Sequence, residues 1–494
     1  MFSIIKRWLK NDKKHESEWS KQKAKDEEDN KPPTFPHIYE QFTDCDDMTL
    51  KSYPHVEIKL LYFDYMVNKQ ALLSDVLSKL QELSKEEIQS FLDHHSFQVS
   101  HNSKEVTKAI LEGKVILFHH ETVYIYSVTM LESRSIQSAE NETIITGPHD
   151  ALNELIDTNL SLIRRRIRSS HLKIVKLSVG EIGKSKVFLL YIEKIANADI
   201  VEELKERINH IEIDAIYDTN MLIQLIDESP NSPFPQYHTT ERPDVVASKL
   251  AEGKVVGMME HSPYAFSAPT DFFDFFQSVD DYNQRWLVGS ATRLLRFFAL
   301  FTTLFITPIY VSITTFHYEM VPDLLLINLI SSRSQVPFPP ILEALLMEFT
   351  IELLREAGAR LPTKIGQTIG IVGGIVIGSA SVEAGITSNI LVIAVSISAI
   401  SSFVIPNYVM SNSIRITRFA FILIAGILGN LGILFAVSCL IIHLTGLTNL
   451  KSPYLWPISP LNTGGWRDTI LRGPFSALTN RPSINHSQNN TKEK

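Results

Sequence analysis

The sequence predicts an α/β soluble N-terminal domain made of two related subdomains, followed by an all-α membrane domain with several spans. Three observations carry this. Charge is divided unevenly: Lys, Arg, Asp and Glu occur throughout the first 285 of 494 residues, whereas residues 365–414 hold one charged residue, Glu383, and residues 419–450 hold none. The early part also contains an internal duplication. Leu60-Leu61-Tyr62-Phe63-Asp64 recurs as Leu189-Leu190-Tyr191-Ile192-Glu193, and Leu111-Glu112-Gly113-Lys114-Val115 recurs as Ala251-Glu252-Gly253-Lys254-Val255, in the same order. Finally, the later part breaks into apolar runs near the roughly 20 residues that a helix needs to cross a bilayer. The mean composition, 44% apolar and 21% charged, is that of an ordinary soluble protein and hides the division. A single soluble globule is excluded.

Residues 1–50 are charged and then Pro-rich (Pro32, Pro33, Pro36), with little to bury, and are expected to form a disordered tail. The apolar run before Lys6 is too short for the core of a signal peptide. The soluble part is therefore expected in the cytosol.

Residues 51–150 form the first expected α/β subdomain, and 151–285 the second, with a leading helix. In each, an apolar strand runs into a helical stretch. Gly113 and Gly253 are expected to end a helix in the left-handed conformation, with a β-rich hairpin after them. The flanks agree as well: Val106 with Val246, Tyr124 with Tyr264, Ser127 with Ser267. Between the copies, Leu152, Leu155, Ile156, Leu160 and Ile163 make one apolar helix face. The run from Arg164 to Arg168 follows it. Cations are favoured at a helix C-terminus, so a solvated cap is expected; contact with anionic lipid or a partner is the alternative. Pro230, Pro233, Pro235 and Pro243 mark a rigid loop in the second subdomain.

Residues 286–450 are expected to be the membrane domain, with about five spans: 297–316, 338–354, 365–382, 388–405 and 419–444. A polar tail, 451–494, follows. Basic residues set the orientation. Arg285, Arg293 and Arg296 precede the first span, Arg355, Arg360 and Lys364 separate the second and third, and Arg415 and Arg418 the fourth and fifth. All fall on the side of the soluble domain. Five crossings then put the tail, with Arg467, Arg472 and Arg481, on the opposite side, against the same rule.

Two features of this region rise above scaffolding. Gly366, Gly370, Gly374 and Gly378 recur every four residues with Gly373 alongside, a smooth helix face suited to close packing within one subunit or between subunits. Glu343, Glu348, Glu352 and Glu383 are costly at membrane depth and must face protein or water. For Glu343 and Glu348 a cation path or a proton-sensitive contact is expected, with Ser398 and Ser402 as hydroxyls that line a pore or merely pack. For Glu352, pairing near the interface is an equal alternative.

No enzyme is expected. The sequence has no phosphate-binding GxxxxGK[ST], GxGxxG or GxSxG, and His94-His95 and His119-His120 lack the spacing of a helical metal site. With Cys45 and Cys439 as the two cysteines, no disulfide framework or Cys-based zinc site is possible. No cofactor is implied. A net charge of −8 gives no support for a nucleic-acid partner.

Several motifs resemble one family. Pro337-Phe338-Pro339-Pro340 running into Glu343, then Glu352-Leu353-Leu354-Arg355-Glu356-Ala357, is similar to the A subunit of GerA-type spore germination receptors. So are Gly366-Gln367-Thr368-Ile369-Gly370-Ile371-Val372-Gly373 and Val382-Glu383-Ala384-Gly385. In the soluble part the matching segments are Asn159 to Ile167, Ser232-Pro233-Phe234-Pro235 and Thr240-Glu241-Arg242-Pro243-Asp244. The similarity runs from roughly 140 to 475, and weakly over 55–140.

The resemblance implies a nutrient germinant receptor subunit in the inner membrane of a bacterial endospore, with its N-terminal domain on the cytosolic (core) side. It also implies a transporter-like B subunit and a lipoprotein C subunit as partners, and homo-oligomers that form a ligand-gated cation channel in membrane lipid. Two alternatives stand beside it. One is a non-conducting scaffold of the germination complex; the other is the related spore protein associated with the dipicolinate channel.

Overall fold

The computed structural model describes residues 32–492 except 95, 129–138, 140, 141, 143, 362–372, 375, 463, 464, 486 and 490. The chain divides into two compact units. The first comprises residues up to Ala139, His149–Leu222 and Thr239–Ser267; the second comprises Glu140–Pro148, Ile223–His238 and Ala268 onward.

The first unit contains two five-stranded sheets of the same design. One has strands β1 (Met48–Tyr53), β2 (Ile58–Phe63), β3 (Phe97–Ser100), β4 (Val115–His119) and β5 (Thr122–Tyr126) in the order β1-β2-β4-β5-β3. The other has β6 (Leu172–Val179), β7 (Ser185–Ile192), β8 (His238–Thr240), β9 (Val255–Met259) and β10 (Ala265–Ala268) in the order β6-β7-β9-β10-β8. The recurring sequence blocks occupy equivalent places, β2 with β7 and the starts of β4 and β9. Pairing is antiparallel, for example Leu60 opposite Leu117 and Leu190 opposite Val256.

Equivalent helices, Ser103–Leu111 and Pro243–Ala251, precede β4 and β9. Asn102 caps the first with its side chain, and Pro243 opens the second, where a missing N–H costs nothing. Gly113 (φ +82°) and Gly253 (φ +92°) follow them in the left-handed region, as the recurring Glu-Gly-Lys predicts.

Residues 35–50, expected in a disordered tail, are ordered instead. Phe35–Gln41 is a helix and β1 begins at Met48, with Ile38 and Phe42 buried in the core. That core is continuous between the sheets. Helices 35–41, 103–111, 156–166 and 243–251 place Ile38, Val106, Ile163 and Val246 against Leu61 and Phe63 of one sheet and Leu190 and Met258 of the other.

Arg164 is neither a solvated cap nor a surface cation: it has no exposed surface. Its Nε and Nη2 donate to the two carboxylate oxygens of Asp47 at 2.9 and 3.0 Å, and Nη1 donates to the Leu172 carbonyl at 3.0 Å. The guanidinium lies 4.5 Å from the Phe63 ring centre, and the Tyr65 hydroxyl also donates to Asp47. Burial pushes the Tyr65 phenol well above its ordinary range and the Cys45 thiol upward. This knot ties the segment before β1 to the segment before β6, and the neighbouring Arg166 pairs with Asp150.

The second unit is mainly helical: Trp286–Phe316, Asp323–Arg333, Pro340–Arg360, 376–383, Asn389–Val404 and Tyr408–Gly446. Trp286–Phe316 and Tyr408–Gly446 are long and apolar enough to cross a membrane. The second of these is not one rod. Gly429 (φ +63°, ψ −143°) breaks it, and beyond the break Gly432 comes back against the Ile424 carbonyl and Leu428. In an unbroken helix residues 424 and 432 stand about 12 Å apart. The segment therefore folds back on itself. Its turn meets the end of the first helix, where Ser312 donates to Asn430 at 2.7 Å. The expected single span 419–444 is thus parts of two legs.

Both ends of this doubled segment return to one place. Met410 and Ile414 from one leg and Leu444 from the other pack with Phe272, Phe275, Phe276 and Tyr454 in one cluster. The chain enters the helical bundle and leaves it at the same end. The segment after Gly446 is folded there: Arg293 donates to Asp281 at 3.1 Å and pairs with Asp468 at 3.3 Å, and Ser290 donates to the Arg472 carbonyl at 2.8 Å. Pro230, Pro233 and Pro235 of the Pro-rich loop also belong to this unit, whereas Pro243, expected in the same rigid loop, opens a helix of the first unit because a proline needs no N–H partner there. Phe234 packs in the same cluster, and the Pro235 carbonyl accepts from the Tyr454 hydroxyl at 2.7 Å.

Candidate functional site

The Pro340–Arg360 helix positions the candidate carboxylates. Pro340 stands at its first position and the residues that follow, Ile-Leu-Glu-Ala-Leu-Leu-Met-Glu, include strong helix formers. Glu348, Glu352 and Arg355 are four and three residues apart, so they follow one another along one side of the helix, whereas Glu343, five residues before Glu348, points to a different side. Each finds a polar partner on another helix or loop.

Glu343 is buried. One carboxylate oxygen accepts from the Ser388 backbone N–H and from Thr387 Oγ1 at 3.2 Å; the other lies 3.6 Å from Arg333 Nε. Ser388 is the N-cap of the Asn389–Val404 helix, so the carboxylate sits where free N–H groups and the helix dipole favour negative charge. Tyr310 Oη lies 2.8 Å from Ser388 Oγ and joins the first helix to the same point.

Glu348 is also buried, and it holds three helices. It accepts from Thr307 Oγ1 at 2.8 Å, and Arg418 Nη2 lies 2.6 Å from its other oxygen. Arg418 Nη1 donates to Ser398 Oγ at 2.6 Å, and Ser398 donates to the Thr303 carbonyl at 3.1 Å. One step along, Glu352 pairs with Arg415 at 3.0 Å. Arg355 Nη2 donates to Ser402 Oγ at 2.8 Å, and Ser402 donates to the Ala399 carbonyl at 2.6 Å. The result is a ladder of charges across packed helices, in which each carboxylate is compensated.

Ser398 and Ser402 are thus buried members of the ladder, and Glu383 is exposed. Sequence reasoning named the glutamates and serines but took Arg415 and Arg418 only as markers of orientation. Their spacing held the missing signal: Arg415 and Arg418 are three apart, Glu348 and Glu352 four apart, so two rungs can form between antiparallel helices. Thr303, Thr307 and Arg333 carried no such signal.

Of the glycine row, Gly366 and Gly370 lie outside the described residues. A Cβ at Gly373 would meet Leu354 Cδ2 at 3.0 Å, at Gly378 only Val392 Cγ1 at 3.8 Å, and at Gly374 nothing within 4 Å. Among the described residues, therefore, none packs closely on Gly374 or Gly378.

The match to known proteins spans nearly the whole chain. The family model for the Bacillus/Clostridium GerA spore germination protein covers residues 36–484. Spore germination protein GerQA of Bacillus cereus is 44% identical over 87% of this chain and 88% of its own length. Spore germination protein A1 of Bacillus subtilis (strain 168) is 38% identical over 87% and 90%. A crystal structure of the N-terminal domain of the A subunit of the Bacillus megaterium spore germinant receptor GerK3 aligns with 48% of this chain and 92% of that domain, at 22% identity and a TM-score of 0.37. With a family match over this length and relatives this similar along their own lengths, the chain belongs to the GerA family of spore germination proteins.

Proposed function

We propose that this chain is a non-enzymatic membrane subunit of a spore nutrient germinant receptor, and that copies of it assemble into a ligand-gated cation channel that triggers germination. Family membership over residues 36–484 carries the germination role. The membrane reading is supported by the arrangement of the helical unit, which is inverted relative to a protein in water. It buries Arg293, Glu343, Glu348 and Arg418 while leaving Phe298, Phe403, Leu431 and Phe435 more than half exposed. Such a surface suits hydrocarbon, and such an interior suits charges that hydrocarbon cannot solvate.

In this reading the bundle crosses the membrane six times. The fold-back at Gly429 supplies the additional crossing: about 21 residues lead to it and about 17 follow, roughly 31 and 25 Å of helix. Entry and exit then share one side, the side of Arg285, Arg355, Arg360 and Arg415, and by the distribution of basic residues that side is the cytosolic core of the spore. The Arg-containing tail no longer conflicts with the rule. The membrane is the inner membrane of the endospore, and a transporter-like B subunit and a lipoprotein C subunit are the partners.

The open face at Gly374 suits a second copy. The ladder keeps the helices in register, and exposed Glu383 is the carboxylate left to attract cations. The pairing of Glu343 and Glu348 favours one second reading, a non-conducting scaffold. Two experiments test the proposal. Spores lacking the chain should lose their response to a mixture of amino acids and sugars, and regain it on complementation; an unchanged response refutes the receptor role. Cysteines placed at Asn430 and Lys492 should label from opposite sides of the membrane, and labelling from one side refutes six crossings.

A further inference from the structure

The charge ladder does not balance. Glu348 and Glu352 face three guanidinium groups, those of Arg355, Arg415 and Arg418, and the two ion pairs use Arg418 and Arg415. Arg355 has no carboxylate partner among the described residues: Nη2 is taken by the neutral hydroxyl of Ser402 and Nε is buried without a hydrogen bond. That leaves Nη1 as its open donor. Arg355 is partly exposed, so its guanidinium, with no ion-pair partner of its own, is open to an anion from outside the chain.

The surroundings indicate what kind. Arg355 lies 4.1 Å over the ring of Phe403, and that ring faces outward and is more than half exposed. The neighbourhood is an apolar outer wall with one cationic group set into it, near the C-terminal end of the Pro340–Arg360 helix. In the six-crossing reading, on which this inference rests, that end lies at the headgroup level of the core-facing leaflet. An anionic phospholipid supplies both components: acyl chains for Phe403, and a phosphate diester for the surplus charge. A free anion has nothing to place on the apolar wall, and a zwitterionic lipid brings an ammonium group toward an already cationic cluster.

We propose that Arg355, with Phe403, forms a binding site for the headgroup phosphate of an anionic phospholipid. The test is native mass spectrometry of the detergent-purified full chain with equimolar phosphatidylglycerol and phosphatidylethanolamine. Wild type should retain phosphatidylglycerol preferentially. Arg355→Gln should lower that retention about fivefold, the worth of one interfacial cation, and Arg355→Lys should retain most of it. Arg355→Gln leaves two arginines against two glutamates, so it should still fold, which its melting temperature checks. Equal retention of both lipids, unchanged retention in Arg355→Gln, or displacement by millimolar inorganic phosphate would each overturn the site. Loss of oligomers in Arg355→Gln with no lipid bound to wild type would assign the position to a neighbouring copy instead. Recovery of wild type from cells as a soluble protein without detergent would sink the membrane reading itself, and is read separately from lipid retention.

Discussion

Replacing Glu348 with Gln separates a strut from a pore wall. The substitution keeps the size of the side chain and one hydrogen-bond acceptor, so Thr307 retains a partner, but it removes the charge opposite Arg418. Arg418 is 1% exposed and Glu348 fully buried, with 2.6 Å between their polar atoms. Removing one member of such a pair typically costs about 3–5 kcal/mol, because the other charge is left uncompensated. Arg418 keeps its hydrogen bond to Ser398, which places the expected loss near the lower end, about 3 kcal/mol. In a unit of this size that corresponds to a fall in melting temperature on the order of 10 °C. The assay is thermal unfolding of the purified protein together with its level in spores. A double variant, Glu348→Gln with Arg418→Met, should recover much of the loss, since neither charge then remains. If Glu348→Gln accumulates and melts like wild type while cation flux falls, the carboxylate works in a conducting path and the strut account is wrong.

Three further outcomes are expected. A Cβ at Gly374 meets no atom of the described residues within 4 Å, so with Gly374→Leu the protein should accumulate normally while cross-linked oligomers disappear; unchanged oligomers would show that this face packs nothing. Gly429→Ala places a Cβ 3.0 Å from His317 and 3.1 Å from Phe316 at a φ of +63°, and should cost about 1–3 kcal/mol in unfolding measurements; an unchanged melting temperature contradicts the tight reversal. The buried Tyr65 phenol titrates above its ordinary value of 10, so its contribution to stability is complete below pH 10 and is lost as pH rises through the folded-state value. Stability measured from pH 9 to 12 should therefore decline more steeply in wild type than in Tyr65→Phe, and parallel curves would count against the buried knot.

The sequence disclosed elements whose signals are local or repeated. The Glu-Gly-Lys blocks located two equivalent helix ends and hairpins because a left-handed turn between a helix and a strand restricts what can stand there. Carboxylates were conspicuous against the apolar background of residues 338–405. Signals that depend on a distant partner were harder to see. Arg164 falls four residues after Leu160, on the apolar stripe of its helix, so its burial was implied; that Asp47 is the partner, 117 residues earlier, was not. Phe35, Ile38 and Phe42 have the spacing of a buried helix face, but the prolines and charges around them hid it. Gly429-Asn430 interrupts an apolar run whose full helix, 39 residues, is about 58 Å long, nearly twice a hydrocarbon core. Length, not hydropathy, carried the signal for the fold-back.

The central claim is that this chain conducts cations in response to a nutrient. Liposomes loaded with potassium and carrying the purified complex, with this chain cross-linked into its oligomer, test it most directly. The account predicts potassium release on addition of a nutrient that germinates the spores, reduced by Glu383→Gln and absent with Gly374→Leu. No release from a complex shown to be assembled and nutrient-bound would contradict the channel and leave the scaffold.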